Sequence, residues 1–368
     1  MKVSVLMPIY NAVRYIKAAA LSILTQTHKN IELIAIDDGS TDGTTQILED
    51  IASSDRRVRL IVRENRGLVA SLNQGLELAQ GDLIARMDAD DIAYPERLST
   101  QVRVFKEHPK LCLLGMGADY LYPDRRVVRS KTIQSSYQDI LVESIFHNMF
   151  IHPTIMLSNR IVSTNGIRYS EMNPLNEDHE LWSRLICDHE AIIVSETGLA
   201  WRQQHDSVRT RHYRPQAVSS YRIVQRDLAK NGIDADISIL AKMTDQGGTL
   251  SENQCLELRD GLKAIWSRRA TFSAQHAFER GFASLLWNIF ESATAFNDPN
   301  QIMNILIDLG LTRYISKRHR LVARVAAYTG PALAETITLH LRSANRRIYG
   351  SSLERLISLP DEVTQSLR

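Results

Sequence analysis

At 368 residues, 44% of them hydrophobic and 23% charged, the chain has the make-up of a globular protein long enough for two domains, which excludes general disorder. A formal net charge of +2 excludes the overall basicity of a nucleic-acid binder. The three cysteines, Cys112, Cys187 and Cys255, lie far apart without metal-ligand spacing and fit a reducing compartment as small buried side chains.

The chain opens on "MKVSVLMPIYN", a strand pattern rather than a charged leader, an apolar stretch and a small-residue cleavage site, so secretion is not expected. Apolar, β-branched runs at 3–9, 31–36, 58–62 and 82–87 predict strands, with helical periodicity between each and the next. The first helix is expected to bury Ile16, Ala20, Ile23, Leu24 and Thr27, and the third Leu68, Leu72, Leu76 and Ala79. Such βαβαβαβ alternation predicts an α/β fold with a mostly parallel sheet flanked by helices, its ligand crevice outside the carboxyl ends of the strands.

From about 110 to 205 the pattern is less regular: a strand and hairpin across "LCLLGMGADYLY" and "VVRSKTI", a helix near "YQDILVESIF", the loop "FIHPTIML", a helix beginning just after Asn176, and a strand pair near "AIIV" and "LAWRQQ". After Tyr213 the segments "YRIVQRDLAK", "SENQCLELRDGLKAIWSRRATF", "AQHAFERGFASLLWNIFES", "PNQIMNILIDLG" and "SKRHRLVARVAAY" are helical in pattern. The expected organisation is a domain at 1–212, divided into halves at 1–110 and 111–212, followed by a helical region at 213–368. The most apolar late stretch, "FASLLWNIF", is too short to cross a bilayer, and no transmembrane helix is expected.

Polar, turn-forming segments follow all four early strands: "PIYN", "DDGSTDGT", "ENRG" and "DADD". Their recurrence on one sheet edge points to a site. Asp37 and Asp38 precede Gly39 and the capping candidates Ser40, Thr41 and Asp42; a capped turn explains the glycine and the caps but requires no carboxylate pair. A carboxylate aimed across the edge could accept a pyrimidine imide N–H or a ribose hydroxyl. Asp88, Asp90 and Asp91 fall within four positions, where like charges repel. A solvated, helix-capping turn is one account of them, and a hard divalent ion such as Mg²⁺ or Mn²⁺, bridging them to a nucleotide diphosphate, is the other. Asp178, in "LNEDHELWSRL" beside Glu177, is either a favourable N-terminal helix charge or a general base.

Taken in order, "VSVLMPIYN", "SILTQTHKNIELIAIDDGSTDGT", "ENRGLVASLNQGLELAQGDLIARMDADD" and "NEDHELWSRL" resemble the family 2 glycosyltransferases, an inverting group with the GT-A fold, over roughly residues 1 to 210. The resemblance implies a nucleotide-diphosphate sugar donor, a divalent cation (Mn²⁺ or Mg²⁺) and a hydroxyl acceptor on a saccharide or lipid-linked saccharide. By that resemblance Pro8 and Tyr10 line the nucleobase pocket, Asp38 contacts the base, Asp88 sits near the ribose, Ala89 is a further nucleotide-sugar-binding residue, Asp90 binds metal, and Asp178 is the catalytic base. His205, followed by Arg209 and Arg211, falls where related enzymes close a basic segment over the diphosphate and is a candidate metal or phosphate contact. Trp201 and Asp206 depart there from the family's tyrosine and asparagine. His152, in "FIHPTIML", is similar to a subset of the family; a single histidine is more often structural.

The competing expectations are a catalytically inactive binder of the same fold, a phosphatase or phospho-acceptor domain, and a sugar-nucleotide synthase. A mere binder has no use for the base Asp178. The later aspartate cluster lacks the threonine and lysine partners of phosphate chemistry, and no glycine-rich, basic loop follows the first strand to hold a triphosphate. The basic segments at 316–324 and 342–350 read first as solvated helix faces, with attraction to anionic lipid as the sharper alternative. The expected setting is bacterial glycan assembly in the cytoplasm or on the cytoplasmic face of the inner membrane.

Overall fold

Strand β1 (Val3–Ile9) is buried on both faces, and so is β2 (Ile31–Asp37), which explains why both read as continuous apolar runs rather than alternating ones. In a computed structural model, which describes residues 1–122, 127–130, 132, 134–173, 175–203, 213–246, 251–295 and 307, these strands are interior members of a nine-stranded sheet. β3 (Val58–Val62), β2, β1 and β4 (Leu83–Arg86) are consecutive parallel neighbours, with Val5 opposite Leu33 on one side and Ala85 on the other. Helices α1 (Ile16–Leu24), α2 (Thr44–Ser54) and α3 (Leu68–Leu78) connect them, as the alternation predicts.

Two helix faces differ from expectation by a residue or so. α1 stops at Leu24, and Thr27 lies beyond it with its hydroxyl donating to Pro95 O. On α3, Val69 takes the buried position beside Leu72 and Leu76, while Leu68 is exposed at the first turn.

Beyond β4 the sheet becomes mixed. β8 (Met156–Ser158) runs antiparallel to β4 and to β6 (Leu111–Leu121), and β9 (Glu190–Arg202) runs parallel to β6. β5 (Ile92–Ala93) pairs with β9, and β7 (Val127–Val128) forms the expected hairpin with β6. The stretch expected as a strand pair near 191–204 is one strand, β9. Register shifts around Gly115 and Gly117 carry it past Ser195 and Glu196 without a turn, the signature of bulges. The remaining elements of this unit are α4 (Arg97–Glu107), the 3₁₀ turn His152–Thr154, α6 (Asn159–Thr164) and α7 (Glu177–Asp188).

The described residues of Met1–Tyr137 and Phe150–His205 form one compact unit, and those of Gln138–Met149 and Asp206–Ile348 another. Residues 138–149, expected with the sheet, group with the helices: Val142 on α5 (Tyr137–Glu143), and Ile145 and Phe146 just beyond it, join the apolar core of α8 (Tyr213–Lys230), α9 (Ser238–Gln246), α10 (Glu252–Ser267) and α11 (Gln275–Ala295). Gly281 permits this approach, because a Cβ there would meet the Phe146 ring at 2.5 Å. Ser251 and Gln254 cap α10 reciprocally. Among the described residues no helix is long and apolar enough to cross a membrane. The basic segments 316–324 and 342–350 lie outside the described residues.

Candidate functional site

The loops after β1 and β2 are tied together at the carboxyl edge. Asn11, the one non-glycine residue with positive φ among those described, donates its amide to Ser40 Oγ at 2.9 Å and accepts from Thr41 N at 2.8 Å. Ala12 N and Val13 N donate to Thr44 Oγ1 and Asp42 Oδ2. Asp42 therefore links α2 to the β1 loop, whereas the N-cap position itself is Gly43. Gly39 turns the chain at φ +80°, and a Cβ there would lie 2.8 Å from Asn65 N. On this edge Tyr10 is 55% exposed and Pro8, at the end of β1, is half-buried. A free aromatic face on a fixed loop is suited to stacking against a planar ring.

The two aspartates of "DDGS" have different duties. Asp37 is fully buried and accepts from Ser40 N and Thr45 Oγ1, so it builds the turn. Asp38 is also buried; it accepts from Arg66 N at 2.9 Å and Gly67 N at 2.7 Å, and its Oδ1 lies 2.7 Å from Arg63. This carboxylate joins the edges of β2 and β3, with its charge balanced by Arg63.

After β4 the acidic segment folds into a cluster in which Asp88, Asp90 and Asp91 each offer an oxygen within 4.8 Å of the others. Arg86 pairs with Asp88 at 2.6 Å. Asp91 is fully buried: its Oδ1 accepts from Arg202 N at 2.7 Å, and its Oδ2 has no hydrogen-bond partner among the described residues. Burial, with the charges of Asp90 and Asp88, pushes the Asp91 carboxyl well above the usual range. An orphaned buried oxygen beside two more carboxylates, all oxygen donors, fits a hard divalent cation. Ala89, half-buried between them, presents no polar side-chain group.

Arg202, at the end of β9, closes this side. Its Nε donates to Asp90 O at 2.7 Å and its guanidinium lies 4.5 Å over the Tyr15 ring. Burial lowers its pKa against the opposing pull of Asp90.

The third acidic point is the first turn of α7, where Asn176 occupies the N-cap position as expected. Asp178 is half-buried and its Oδ1 accepts from His179 N. Glu177 is buried, and burial together with the Asp178 charge pushes its carboxyl up to about 8. Glu177 also feels the charges of Arg86 and Asp88, so the first turn of α7 and the end of β4 belong to one electrostatic site. His152, from the 3₁₀ turn, has Nδ1 3.7 Å from Glu177 Oε1 and Nε2 3.0 Å from the Tyr169 hydroxyl.

The expected residues Pro8, Tyr10, Asp38, Asp88, Ala89, Asp90 and Asp178 all belong to the sheet-containing unit. His205, Asp206, Arg209 and Arg211 lie outside the described residues. Sequence reasoning passed over Arg86, Tyr15, Tyr169 and Arg202. Their partners stand from two to more than a hundred positions away, and only Arg86, two before Asp88, carried a local signal.

Residues 4–165 match the family described as Glycosyl transferase family 2. A Haemophilus influenzae protein named only as an uncharacterized glycosyltransferase is 29% identical over 237 residues, 62% of this chain and 71% of its own. EpsE of Bacillus subtilis, named provisionally as a glycosyltransferase, is 39% identical over 188 residues, covering 50% of this chain and 66% of its own length. About a third of each relative is thus left unmatched. TarS of S. aureus, residues 1–349 solved in complex with UDP-GlcNAc, superposes with a TM-score of 0.52 at 16% identity over 94% of this chain and 92% of that one. That likeness identifies the GT-A type of fold.

Proposed function

We propose that this chain, whose residues 4–165 match Glycosyl transferase family 2, transfers a sugar, with inversion, from a nucleotide-diphosphate donor to a hydroxyl of a saccharide or lipid-linked saccharide. The observation that carries this reading is the acidic cluster of Asp88, Asp90 and Asp91, with its orphaned Asp91 Oδ2, in one electrostatic site with the first turn of α7.

In this reading Tyr10 and Pro8 line the nucleobase pocket and Asp38 contacts the nucleobase. Asp88, oriented by Arg86, faces the ribose beside the small Ala89. Asp90 and Asp91 would hold Mn²⁺ or Mg²⁺, and His205 is a further candidate ligand. When bound, such an ion neutralises the diphosphate and stabilises the charge it carries away. Arg202, fixed by Asp90 O and Tyr15, adds a cation on the same side. Asp178 removes the acceptor proton; the oxygen forms its bond to the anomeric carbon as the bond to the diphosphate breaks on the opposite face, and the nucleoside diphosphate leaves with the electron pair. One displacement inverts the centre and needs no covalent enzyme intermediate.

Calorimetric titration with UDP and with GDP, with and without Mn²⁺, tests the donor half. Metal-dependent binding of one nucleotide, lost in Asp90→Ala, supports the reading. Equal binding by Asp90→Ala, or metal-independent binding, refutes the assigned metal site.

A further inference from the structure

We infer that Tyr169, His152 and Glu177 form a buried positioning relay that fixes the first turn of α7, and with it Asp178, relative to the carboxylates after β4. The inference rests on the reading of Asp178 as the base.

The relay starts from two anchors. Tyr169 is bonded at both backbone groups to one side chain of α3, with Tyr169 N donating to Asn73 Oδ1 at 2.9 Å and Asn73 Nδ2 donating to Tyr169 O at 3.0 Å. His152 is tied to the strand that ends in the acidic cluster: Thr154 N bonds Ile151 O, Arg86 N donates to Ile155 O at 3.2 Å, and Met156 pairs with Ala85. Between these anchors the imidazole has Nε2 3.0 Å from Tyr169 Oη and Nδ1 3.7 Å from Glu177 Oε1. The second spacing is contact rather than a formed hydrogen bond, and a small shift of the α7 turn would make it one.

All three side chains are buried, and Trp182, on α7 itself, packs edge-on against His152 at 5.8 Å and Tyr169 at 6.2 Å. An aromatic box of this kind closes equally well around phenylalanine, which carries no polar atoms to desolvate. A histidine with its two nitrogens aimed at a hydroxyl and a carboxyl instead supplies direction. Burial and the charge of Arg86 keep the ring neutral, so it has one N–H. With the Tyr169 hydroxyl donating to Nε2, that N–H lies on Nδ1 and faces Glu177. Glu177 precedes Asp178 in the same helical turn, so orienting one orients the other. Arg86 acts electrostatically on His152, Tyr169 and Glu177 while paired with Asp88, which ties the relay to the donor side.

The test is a steady-state comparison of His152→Phe, His152→Gln and Tyr169→Phe with wild type and Asp178→Asn in the full chain. The readout is nucleoside diphosphate released, with Mn²⁺, from UDP-GlcNAc and from GDP-mannose, alongside donor Kd and Tm. The relay predicts that His152→Phe and Tyr169→Phe lower kcat about 10- to 100-fold with donor KM and Kd unchanged, the effect of misplacing a reacting group by about 1 Å. His152→Gln, which keeps a polar atom toward Tyr169, should recover much of the loss. Tyr169→Phe deletes one oxygen from an intact box and keeps the test open if His152→Phe fails to fold. If both Phe variants stay within about twofold of wild-type kcat while Asp178→Asn is inactive, the relay is wrong and the base assignment stands. Losses that follow Tm and donor affinity equally in the Phe and Gln variants reduce the trio to core packing and overturn it. Wild-type rates in Asp178→Asn, or no release by wild type from either donor, overturn the base reading and the relay with it.

Discussion

Arg202 and Asp90 stand 112 positions apart, yet Arg202 Nε donates to the Asp90 carbonyl at 2.7 Å while the Tyr15 ring supports the guanidinium from one face. The bond uses one of five guanidinium donors and leaves the charge at the rim of the acidic cluster. Arg202→Ala should therefore weaken binding of the favoured nucleoside diphosphate about 10-fold, or about 1.4 kcal/mol. Arg202→Lys should recover only part, because an ammonium cannot reproduce the planar stack and fork. Calorimetry with Mn²⁺ present measures both, and unchanged affinity in Arg202→Ala would remove Arg202 from the binding surface.

Asp91→Asn separates stability from metal binding. The amide keeps an oxygen for Arg202 N and removes a buried charge held among like charges. The metal-free variant should be at least as stable as wild type at pH 8. Mn²⁺ should raise the Tm of wild type in step with its occupancy, and in Asp91→Asn that rise should shrink or vanish. Thermal melts with and without Mn²⁺ decide this, and an undiminished metal shift would exclude Asp91 as a ligand.

Glu177 gives stability a definite pH slope. Its carboxyl, raised by burial and Asp178 to about 8, favours the protonated form in the native state. Its contribution is therefore full below the ordinary carboxylate range and is lost as pH rises through about 8. The loss is at most about 1.4 kcal/mol per pH unit for one proton. Asp91, raised in the same direction, adds to it when no cation is present. Glu177→Gln should flatten the slope between about pH 5 and 8 in urea melts, and an unchanged slope would show that Glu177 ionises normally.

Gly39→Ala tests the frame beneath the proposed nucleotide pocket. At φ +80°, with Asn65 N 2.8 Å from the added methyl, the loop must shift, at a cost of about 1–3 kcal/mol. Because Asp38 is the preceding residue, nucleotide affinity should fall with it. Chemical denaturation and calorimetry on the same preparation measure the two effects.

The parallel half of the sheet was legible because buried strands alternating with amphipathic helices leave a local pattern. Placing "PIYN", "DDGS" and "DADD" on one edge needed only that topology. β9 was read as two strands because Ser195, Glu196 and Thr197 interrupt its apolar run, and a bulge costs the chain no turn residues to mark it. Of the site, the carboxylates were visible by type and spacing, but the division of labour between Asp37 and Asp38 was not, since it depends on Ser40, Thr45, Arg63 and the amides of the next loop. His152, Tyr169 and Glu177 come from three separate segments, and only tertiary contact makes them a chain. Residues 138–149 carried helical periodicity without any signal of which core would receive it.

The Asn11 crosslink has a kinetic consequence. Its paired bonds to Ser40 and Thr41 join the β1 and β2 loops through protein groups alone, so the ordering entropy of this edge is spent during folding rather than on recognition. A nucleoside would then dock as into a rigid socket, its association rate set by diffusion and orientation and its dissociation rate carrying the discrimination among bases. Stopped-flow traces for UDP and GDP should accordingly share similar on-rates and differ chiefly in how fast each nucleotide escapes.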